Sequence, residues 1–263
     1  MLKKLLAVGA LAATLALTGC NEKKEALKIG VMTGPEHQIA EVAAKIAKDK
    51  YGLDVKLIEF TDYTQPNKAL SLGDLDANAF QTVPYIEQEV KAHGYKIAII
   101  GNTFVYPIAA YSKKVQKLDE LREGAIVAIP NNPSNAARSL ILLHNNGLIK
   151  LKDPSNLFST ELDIVENPKK IEVKQVETAL LTRALDDVDL AVINNTYAGQ
   201  AGLTPEKDGV VVEAKDSPYV NLLTSREDNK GDERLQTFLK SYQTEEVYQE
   251  ALKLFNGAVV KGW

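Results

Sequence analysis

The sequence predicts an α/β protein built as two lobes, and three observations lead to this prediction. From residue 27, apolar strands alternate with amphipathic helices, a pattern typical of α/β domains. The same alternation starts again near residue 125. Two strand-like segments that contain proline and an aromatic residue, 103–114 and 217–228, separate these runs from each other and from the C-terminal helices. If both segments cross between lobes, the chain leaves the first lobe and returns to it, with a cleft between them.

The first run begins with the strand LKIGVM and a helix whose apolar residues recur at helical spacing until Gly52. DVKLIEF predicts the next strand, and Pro66 opens a short helix, PNKALSLGD. The stretch DANAFQTVPY, residues 76–85, follows the period of neither a helix nor a strand and predicts a loop of aromatic and amide side chains. YKIAIIG, residues 95–101, predicts a further strand. Strands that alternate with helices favour a mostly parallel sheet.

The second run repeats this order. AIVAIP predicts a strand, and the helix after it has Asn132 as its N-cap, Pro133 in its first turn and Gly147 at its end. IEVKQVE and DLAVI predict later strands, and GDERLQTFLKSYQTEEVYQEALKLF predicts the closing helices.

The N-terminus predicts export and lipid attachment. Two lysines precede an uncharged run, Leu5–Thr18, which is shorter than the about 20 residues that span a bilayer and fits a secretory signal peptide. LTGC, at the end of this run, resembles a bacterial lipobox. We therefore expect residues 1–19 to be removed and Cys20, the only cysteine, to be acylated at the start of a tether, 20–26.

Several classes of function have little support in the sequence. The formal net charge of −4 argues against nucleic acid as a partner. The histidines, His37, His93 and His144, lie on different predicted helices without the spacing of a metal site, and no glycine-rich phosphate loop is apparent. Asp186 and Asp187 are adjacent in a turn and are interpreted as solvated. We expect no enzyme activity, metal or cofactor.

Aromatic and amide side chains recur at the ends of predicted strands, where open α/β sheets bind their ligands. They are Tyr63, Phe80, Tyr85, Asn131, Asn135, Asn194, Asn195 and Asn221. We expect these side chains to line one cleft.

Six segments together resemble the NlpA family of lipoproteins. They are DANAFQTVPYIEQ, GNTFVYPIAAYSKK, NNPSNAARSLILL, AVINNTYAGQAGLTP, DSPYVNLLTSREDNK and FNGAVVKGW. The similarity extends through residues 20–263. It implies a type II-like periplasmic-binding-protein fold, which together with the two crossing segments predicts lobe 1 over 27–108 and 220–263 and lobe 2 over 109–219. The best-known members bind methionine for ABC importers, which implies delivery of methionine to an inner-membrane permease driven by a cytoplasmic ATPase.

The resemblance also implies roles for individual residues. Tyr63, Phe80 and Tyr85 match positions around the methionine side chain, and Arg138 matches the arginine that binds the carboxylate. Asn135, Asn194 and Asn221 match amide positions around the amino-acid backbone. A thioether suits an aromatic slot because sulfur against a ring gains about 0.3–1.5 kcal/mol beyond burial.

Thr82 departs from the family, whose members commonly have histidine at this position after Phe-Gln. This departure leaves another neutral amino acid or a methionine derivative open as the ligand. Asn21, rather than aspartate, follows Cys20, so a monomeric lipoprotein facing the periplasm from either membrane fits the sequence. An outer-membrane surface lipoprotein with a structural or adhesive role is the alternative function.

Overall fold

The computed structural model describes residues 25–263, so the predicted signal peptide, Cys20 and Asn21 lie outside the described residues. The strands are β1 (Leu27–Met32), β2 (Val55–Phe60), β3 (Ala77–Thr82), β4 (Ile97–Val105), β5 (Ala109–Tyr111), β6 (Ile126–Pro130), β7 (Lys150–Leu151), β8 (Ile164–Glu166), β9 (Glu172–Val176), β10 (Leu190–Ile193), β11 (Gly209–Val212), β12 (Val220–Arg226) and β13 (Val260–Lys261). The α-helices are α1 (Pro35–Tyr51), α2 (Gln65–Leu72), α3 (Val83–His93), α4 (Pro133–Asn145), α5 (Leu181–Ala184), α6 (Asn195–Gln200), α7 (Pro205–Asp208), α8 (Glu233–Tyr242) and α9 (Glu245–Leu254). No helix in this part of the chain has the length and apolar character needed to cross a membrane.

Two sheets organise the molecule, which confirms the α/β prediction. The first has the order β13-β4-β12-β3-β1-β2, and the second has the order β11-β5-β10-β6-β9. We call the first sheet with α1–α3, α8 and α9 lobe 1, and the second sheet with α4–α7 lobe 2. Each lobe has its own apolar core: α1, α8 and α9 cover one face of the first sheet, and α4 covers the second.

The prediction of mostly parallel sheets is wrong. Only β2-β1-β3 and β10-β6-β9 are parallel sets, whereas β12 runs antiparallel to both of its neighbours and β5 runs antiparallel to β10 and β11. Apart from β13, which pairs antiparallel with β4 at the end of the described chain, the antiparallel strands are those that lead out of one lobe or back into it. Alternation of strands and helices indicates parallel pairing only within a run, and the crossing segments lie outside both runs.

The chain passes between the two sheets twice, through residues 106–108 after β4 and through residues 213–219 after β11. Pro107 lies in the first passage and divides the strand-like segment 103–114 into β4 and β5, because proline has no N–H for a sheet hydrogen bond. The second passage leads directly into β12, which lies between β4 and β3 in the middle of the first sheet.

The sequence predicted a loop at DANAFQTVPY, and this prediction is wrong. Residues 77–82 of this stretch form β3, and α3 begins at Val83. Every residue of β3 is buried, so the alternation that marks a half-exposed strand is absent. A side-chain network satisfies the buried amides: Asn67 Nδ2 donates to Gln81 Oε1 at 2.7 Å, and Gln81 Nε2 donates to Asn78 Oδ1 and Thr224 Oγ1, each at 3.0 Å.

The start of α4 is as the sequence predicted. Asn132 caps the helix by accepting a hydrogen bond from the Asn135 backbone N–H at 3.2 Å, and Pro133 is the first helical residue. Gly147 follows the helix with a φ of 74°, a conformation that favours glycine. This helix carries Asn135 and Arg138 on its buried side, at the edge of lobe 2 that faces lobe 1.

Candidate ligand-binding cleft

A cavity of about 30 Å³ lies between the lobes. The eight site residues that the sequence predicted all line it: Tyr63, Phe80, Thr82, Tyr85, Asn135, Arg138, Asn194 and Asn221. Gln81, Tyr106, Asn195 and Thr196 complete its lining. Asn131, which was also expected to line the cleft, is exposed and does not contribute.

Aromatic rings form one wall of the cavity. The Tyr63 ring centroid lies 5.8 Å from that of Phe80 and 6.0 Å from that of Tyr85, and Phe80 and Tyr85 are 5.7 Å apart in an edge-to-face arrangement. Tyr197 of lobe 2 brings its centroid to 5.0 Å from Tyr63. The Tyr85 hydroxyl donates to the Tyr63 backbone carbonyl at 2.9 Å, which fixes the Tyr85 ring relative to the Tyr63 backbone. These rings belong to an apolar cluster that joins the two lobes.

Arg138 is 3% exposed and held on three sides. Its Nε donates to Glu213 Oε1 at 2.9 Å, and its Nη2 donates to Glu213 Oε2 and, at 2.9 Å, to the Tyr106 carbonyl. The Tyr219 ring lies under the guanidinium, with its centroid 4.4 Å from Cζ. Nη1 has no hydrogen-bond partner among residues 25–263. The guanidinium therefore has one edge with two N–H donors available to a ligand.

A relay of amides fixes the orientation of Asn194. The Asn135 backbone N–H can only donate, so the Asn132 atom that faces it is the amide oxygen, Oδ1. Because this oxygen also lies 2.7 Å from the Asn135 side-chain amide, the Asn135 atom at that contact is the donor Nδ2. Asn135 Oδ1 is then the acceptor for Asn194 Nδ2, at 2.8 Å. The other end of the Asn194 amide, Oδ1, is buried without a hydrogen-bond partner in the described chain, and so is Asn195 Oδ1. Buried polar groups normally have hydrogen-bond partners, so these two amide oxygens beside the cavity indicate a ligand that donates hydrogen bonds to them.

Thr82 and Asn221 form a polar spot on the lobe 1 side of the cavity. They are paired residues of the adjacent strands β3 and β12, and each is less than a tenth exposed. Neither side chain hydrogen-bonds to another residue within 25–263. Hydroxyl and amide groups next to the aromatic wall can therefore bind a polar part of a ligand.

The sequence did not single out Tyr106, Gln81 or Thr196 for the cleft. Tyr106 lies in the first passage between the lobes, directly before Pro107, and its position in a crossing segment was the available signal. Gln81 takes part in the buried network of β3. Thr196 is the second residue of α6 and accepts a hydrogen bond from the Tyr63 hydroxyl at 2.8 Å.

The NlpA lipoprotein family model matches residues 27–263. The chain belongs to the NlpA lipoprotein family. Among curated relatives, outer membrane lipoprotein 2 of Mannheimia haemolytica is 69% identical, over 99% of this chain and 99% of that protein. D-methionine-binding lipoprotein MetQ of Escherichia coli K12 is 57% identical, over 99% of this chain and 98% of that protein.

Solved structures of two bacterial binding proteins have the same fold. A nutrient-binding protein from Burkholderia cenocepacia, solved bound to methionine, is 46% identical with a TM-score of 0.87, over 90% of this chain and 100% of that chain. An ABC transporter periplasmic substrate-binding protein from Coxiella burnetii is 44% identical with a TM-score of 0.87, over the same shares of the two chains. The prediction of a periplasmic-binding-protein fold is confirmed, and the family is one of substrate-binding proteins of the cell envelope.

The cleft of this NlpA lipoprotein is built from neutral hydrogen-bonding groups around one paired cation. Burial raises the pKa of the Tyr63, Tyr85 and Tyr197 hydroxyls, which therefore remain protonated donors at any physiological pH. Within the described residues, no group of three or more His, Cys, Asp or Glu could hold a metal ion. The arrangement suits a small zwitterion with an apolar side chain.

Proposed function

We propose that this protein captures methionine in the cleft between its lobes and delivers it to an ABC permease. One observation carries the proposal: a guanidinium edge, two unpaired amide oxygens and a cluster of aromatic rings surround the same cavity. The D-methionine-binding relative, the methionine-bound structure and the structure of an ABC transporter substrate-binding protein support it. The protein acts by binding rather than by catalysis.

The two ends of the amino-acid backbone have matching partners. The ligand carboxylate accepts from Arg138 Nη1, while the ammonium group donates to Asn194 Oδ1 and Asn195 Oδ1. Glu213 already balances the Arg138 charge, so the site is neutral overall and takes a neutral zwitterion. Hydrogen bonds to charged groups contribute about 1.5–3 kcal/mol each. Asn135 supports this site by holding the Asn194 amide.

The methionine side chain packs against Tyr63, Phe80 and Tyr85. The cavity of about 30 Å³ has room for little more than a water molecule, so an amino acid requires the rings or the lobes to move apart. Rotation of the lobes about the two passages provides this movement. The division into lobe 1, residues 27–108 and 220–263, and lobe 2, residues 109–219, is part of this proposal, supported by the sheet to which each strand belongs.

Thr82 tests which side chain the site prefers. If methionine is the ligand, we expect a Thr82→His variant to bind it more tightly, provided that the ring fits without strain. If the site takes a ligand with a polar side chain, the Thr82 hydroxyl binds it, and the variant loses that preference. Titration of both proteins with L-methionine, D-methionine and a panel of neutral amino acids separates these cases.

The decisive experiment identifies the ligand directly. Mass spectrometry of small molecules released from natively purified protein should detect methionine, and calorimetry should give saturable binding of L- or D-methionine. Asn194→Ala should weaken binding, whereas Asn131→Ala, which changes an exposed amide outside the cavity, should not. Equal affinities in these two variants would contradict the assignment of the backbone site.

The remaining parts of the proposal concern attachment and partners. Acylated Cys20 anchors a monomer to the membrane, and an inner-membrane permease with its ATPase receives the ligand. A surface lipoprotein with a structural or adhesive role is the second candidate, favoured by the outer membrane lipoprotein that is 69% identical. Absence of any bound or binding amino acid, in protein shown to be folded, would favour that candidate.

A further inference from the structure

A chain of hydrogen bonds reaches the cleft from behind the Tyr63 ring. The Tyr63 hydroxyl donates to Thr196 Oγ1 at 2.8 Å, and the Thr196 hydroxyl donates in turn to Glu36 Oε1. Thr196 has a single hydroxyl proton, so it cannot donate to both neighbours, and a Glu36 carboxylate, which only accepts, takes that proton's hydrogen bond. Glu36 is the second residue of α1 in lobe 1, whereas Thr196 belongs to α6 in lobe 2. Both bonds therefore join the two lobes.

The Glu36 carboxyl group is deeply enclosed by this contact. Glu36 is 3% exposed and Thr196 is 6% exposed. Helix α6 approaches the start of α1 closely at Gly199, where an added Cβ would lie 3.2 Å from Pro35 Cγ. The same helix donates from Asn195 Nδ2 to the Ala258 carbonyl of lobe 1 at 3.2 Å. Separation of the lobes would break these contacts and bring water to Glu36.

We propose that Glu36 is a positioning residue of the cleft, which holds Thr196 by a hydrogen bond and, through Thr196, the Tyr63 hydroxyl. Closure of the lobes and positioning of the Tyr63 ring therefore occur together. This inference rests on the proposed function, because Tyr63 lines the slot for the ligand side chain. Glu36 itself does not line the cavity, and its effect on the ligand passes through Thr196 and Tyr63.

Protons should bind together with the ligand. Burial raises the pKa of Glu36 from 4.5 to about 7, and the Thr196 hydrogen bond only partly opposes this change. The groups coupled electrostatically to Glu36 from neighbouring elements are the neutral hydroxyls of Tyr63, Tyr106 and Tyr242; on α1 itself, His37 faces Glu41 and Glu59. Within residues 25–263, no cation therefore offsets the burial of a Glu36 carboxylate, and the closed form favours the protonated acid.

The sign of the pH dependence follows from this difference. A group whose pKa is higher in the closed form stabilises closure below its open-form pKa, and this contribution is lost as pH rises through the closed-form value. Ligand affinity should therefore fall as pH rises from about 5 to about 7 and level off above that range. Each unit by which closure raises the Glu36 pKa can change the ligand affinity tenfold, so a rise from 4.5 to about 7 sets an upper limit of about 300-fold on the loss of affinity. We expect a loss of at least about threefold.

Calorimetric titration with L-methionine at pH values from 5 to 8 tests the inference in three proteins. The wild type should show the pH-dependent loss. Glu36→Gln keeps an acceptor for Thr196 but cannot ionise, so it should bind at every pH with about the affinity that the wild type has at pH 5. Glu36→Ala removes the acceptor and should bind more weakly at every pH.

Glu89→Gln is the matched control. Glu89 is also buried, at 6% exposed, and burial raises its pKa too, but its side-chain hydrogen bond in the described chain is to neighbouring Gln88. This variant should keep the wild-type pH dependence. The inference is overturned if wild-type affinity changes less than threefold between pH 5 and 7.5, or if the pH dependence persists unchanged in Glu36→Gln, since an ionisation of the ligand or of another residue would then be its source.

A second measurement does not depend on which ligand binds. Carboxyl ¹³C NMR of glutamate-labelled protein that retains the ligand with which it was purified, with the Glu36 signal assigned from its absence in Glu36→Gln, should give a titration midpoint near 7. A midpoint near 4.5 in this ligand-bound protein would overturn the enclosed relay whatever the ligand. If wild-type protein binds no methionine but Glu36 titrates near 7, the proposed ligand is wrong and the interlobe relay stands.

Discussion

The ion pair of Arg138 with Glu213 allows ligand binding and stability to be separated by experiment. The side chains of the pair are 3% and 13% exposed, so the pair is shielded from solvent. Replacing Arg138 by methionine leaves the Glu213 carboxylate buried with the Ile108 backbone N–H, at 3.2 Å, as its remaining donor. Breaking a buried pair in this way costs about 3–5 kcal/mol of unfolding free energy. At about 2–4 °C per kcal/mol for a chain of this size, Tm should fall by about 6–20 °C.

The double variant Arg138→Met/Glu213→Gln should recover most of this loss, because a neutral glutamine can stay buried and still accept from Ile108. Its affinity for methionine should nevertheless remain about 30-fold to several thousand-fold below that of the wild type, which corresponds to the about 2–5 kcal/mol lost with one partner of a buried charged pair. Glu213→Gln alone keeps the guanidinium and should still bind methionine.

Differential scanning calorimetry measures stability without ligand, and isothermal titration calorimetry measures affinity, for the wild type and the three variants. Wild-type stability in Arg138→Met would show that the pair is not buried as described. Recovery of both stability and affinity in the double variant would refute the assignment of Arg138 Nη1 to the ligand carboxylate.

Three further predictions concern other parts of the molecule. Asn67→Ala removes the amide shared by Gln81 and Asn78 and should lower the unfolding free energy by about 1–3 kcal/mol in a denaturant titration; an unchanged midpoint would contradict the buried network. Cys20→Ala should abolish acyl mass and detergent-phase partitioning, and wild-type protein without acyl mass would exclude the anchor. Small-angle scattering of ligand-stripped protein should show compaction on adding methionine; an unchanged radius with proven binding would count against closure by rotation of the lobes.

The sequence predicted the elements that have one exposed side and a clear boundary. The helix from Pro35 to Tyr51 ends at Gly52 as expected, with Gly52 at a φ of 66°, and the α4 cap at Asn132 follows from the local pattern alone. In both cases residues within one turn of each other determine the result. Tyr63, Asn135 and Asn194 meet at one cavity for a related reason, since each follows the carboxyl end of a strand. Phe80, Thr82 and Asn221 reach the same cavity from within β3 and β12.

What could not be predicted depends on contacts between distant residues. The strand Ala77–Thr82 has no alternation because both of its faces are covered, and its amides are satisfied by Asn67 and by Thr224, which lies 143 residues beyond Gln81. Glu36 has the sequence context of an ordinary acidic residue in the first turn of a helix. Only the packing of α6 from the other lobe buries it and gives it a partner.

The central position of β12 determines the order in which the two halves of a growing chain can finish folding. All strands of the lobe 2 sheet lie between Ala109 and Val212, so this sheet can form once that stretch has been synthesised. The lobe 1 sheet cannot be completed before Val220–Arg226, the strand β12, has been synthesised. The partners of β4 are β12 and β13, and without β12 the strand β3 has an unpaired edge. Domains generally fold from the N-terminus onwards during synthesis, but here the half that is made first is completed last. A nascent chain that stops before β12 should therefore carry a folded second half and a first half with unpaired strand edges, which is the part a chaperone would need to protect.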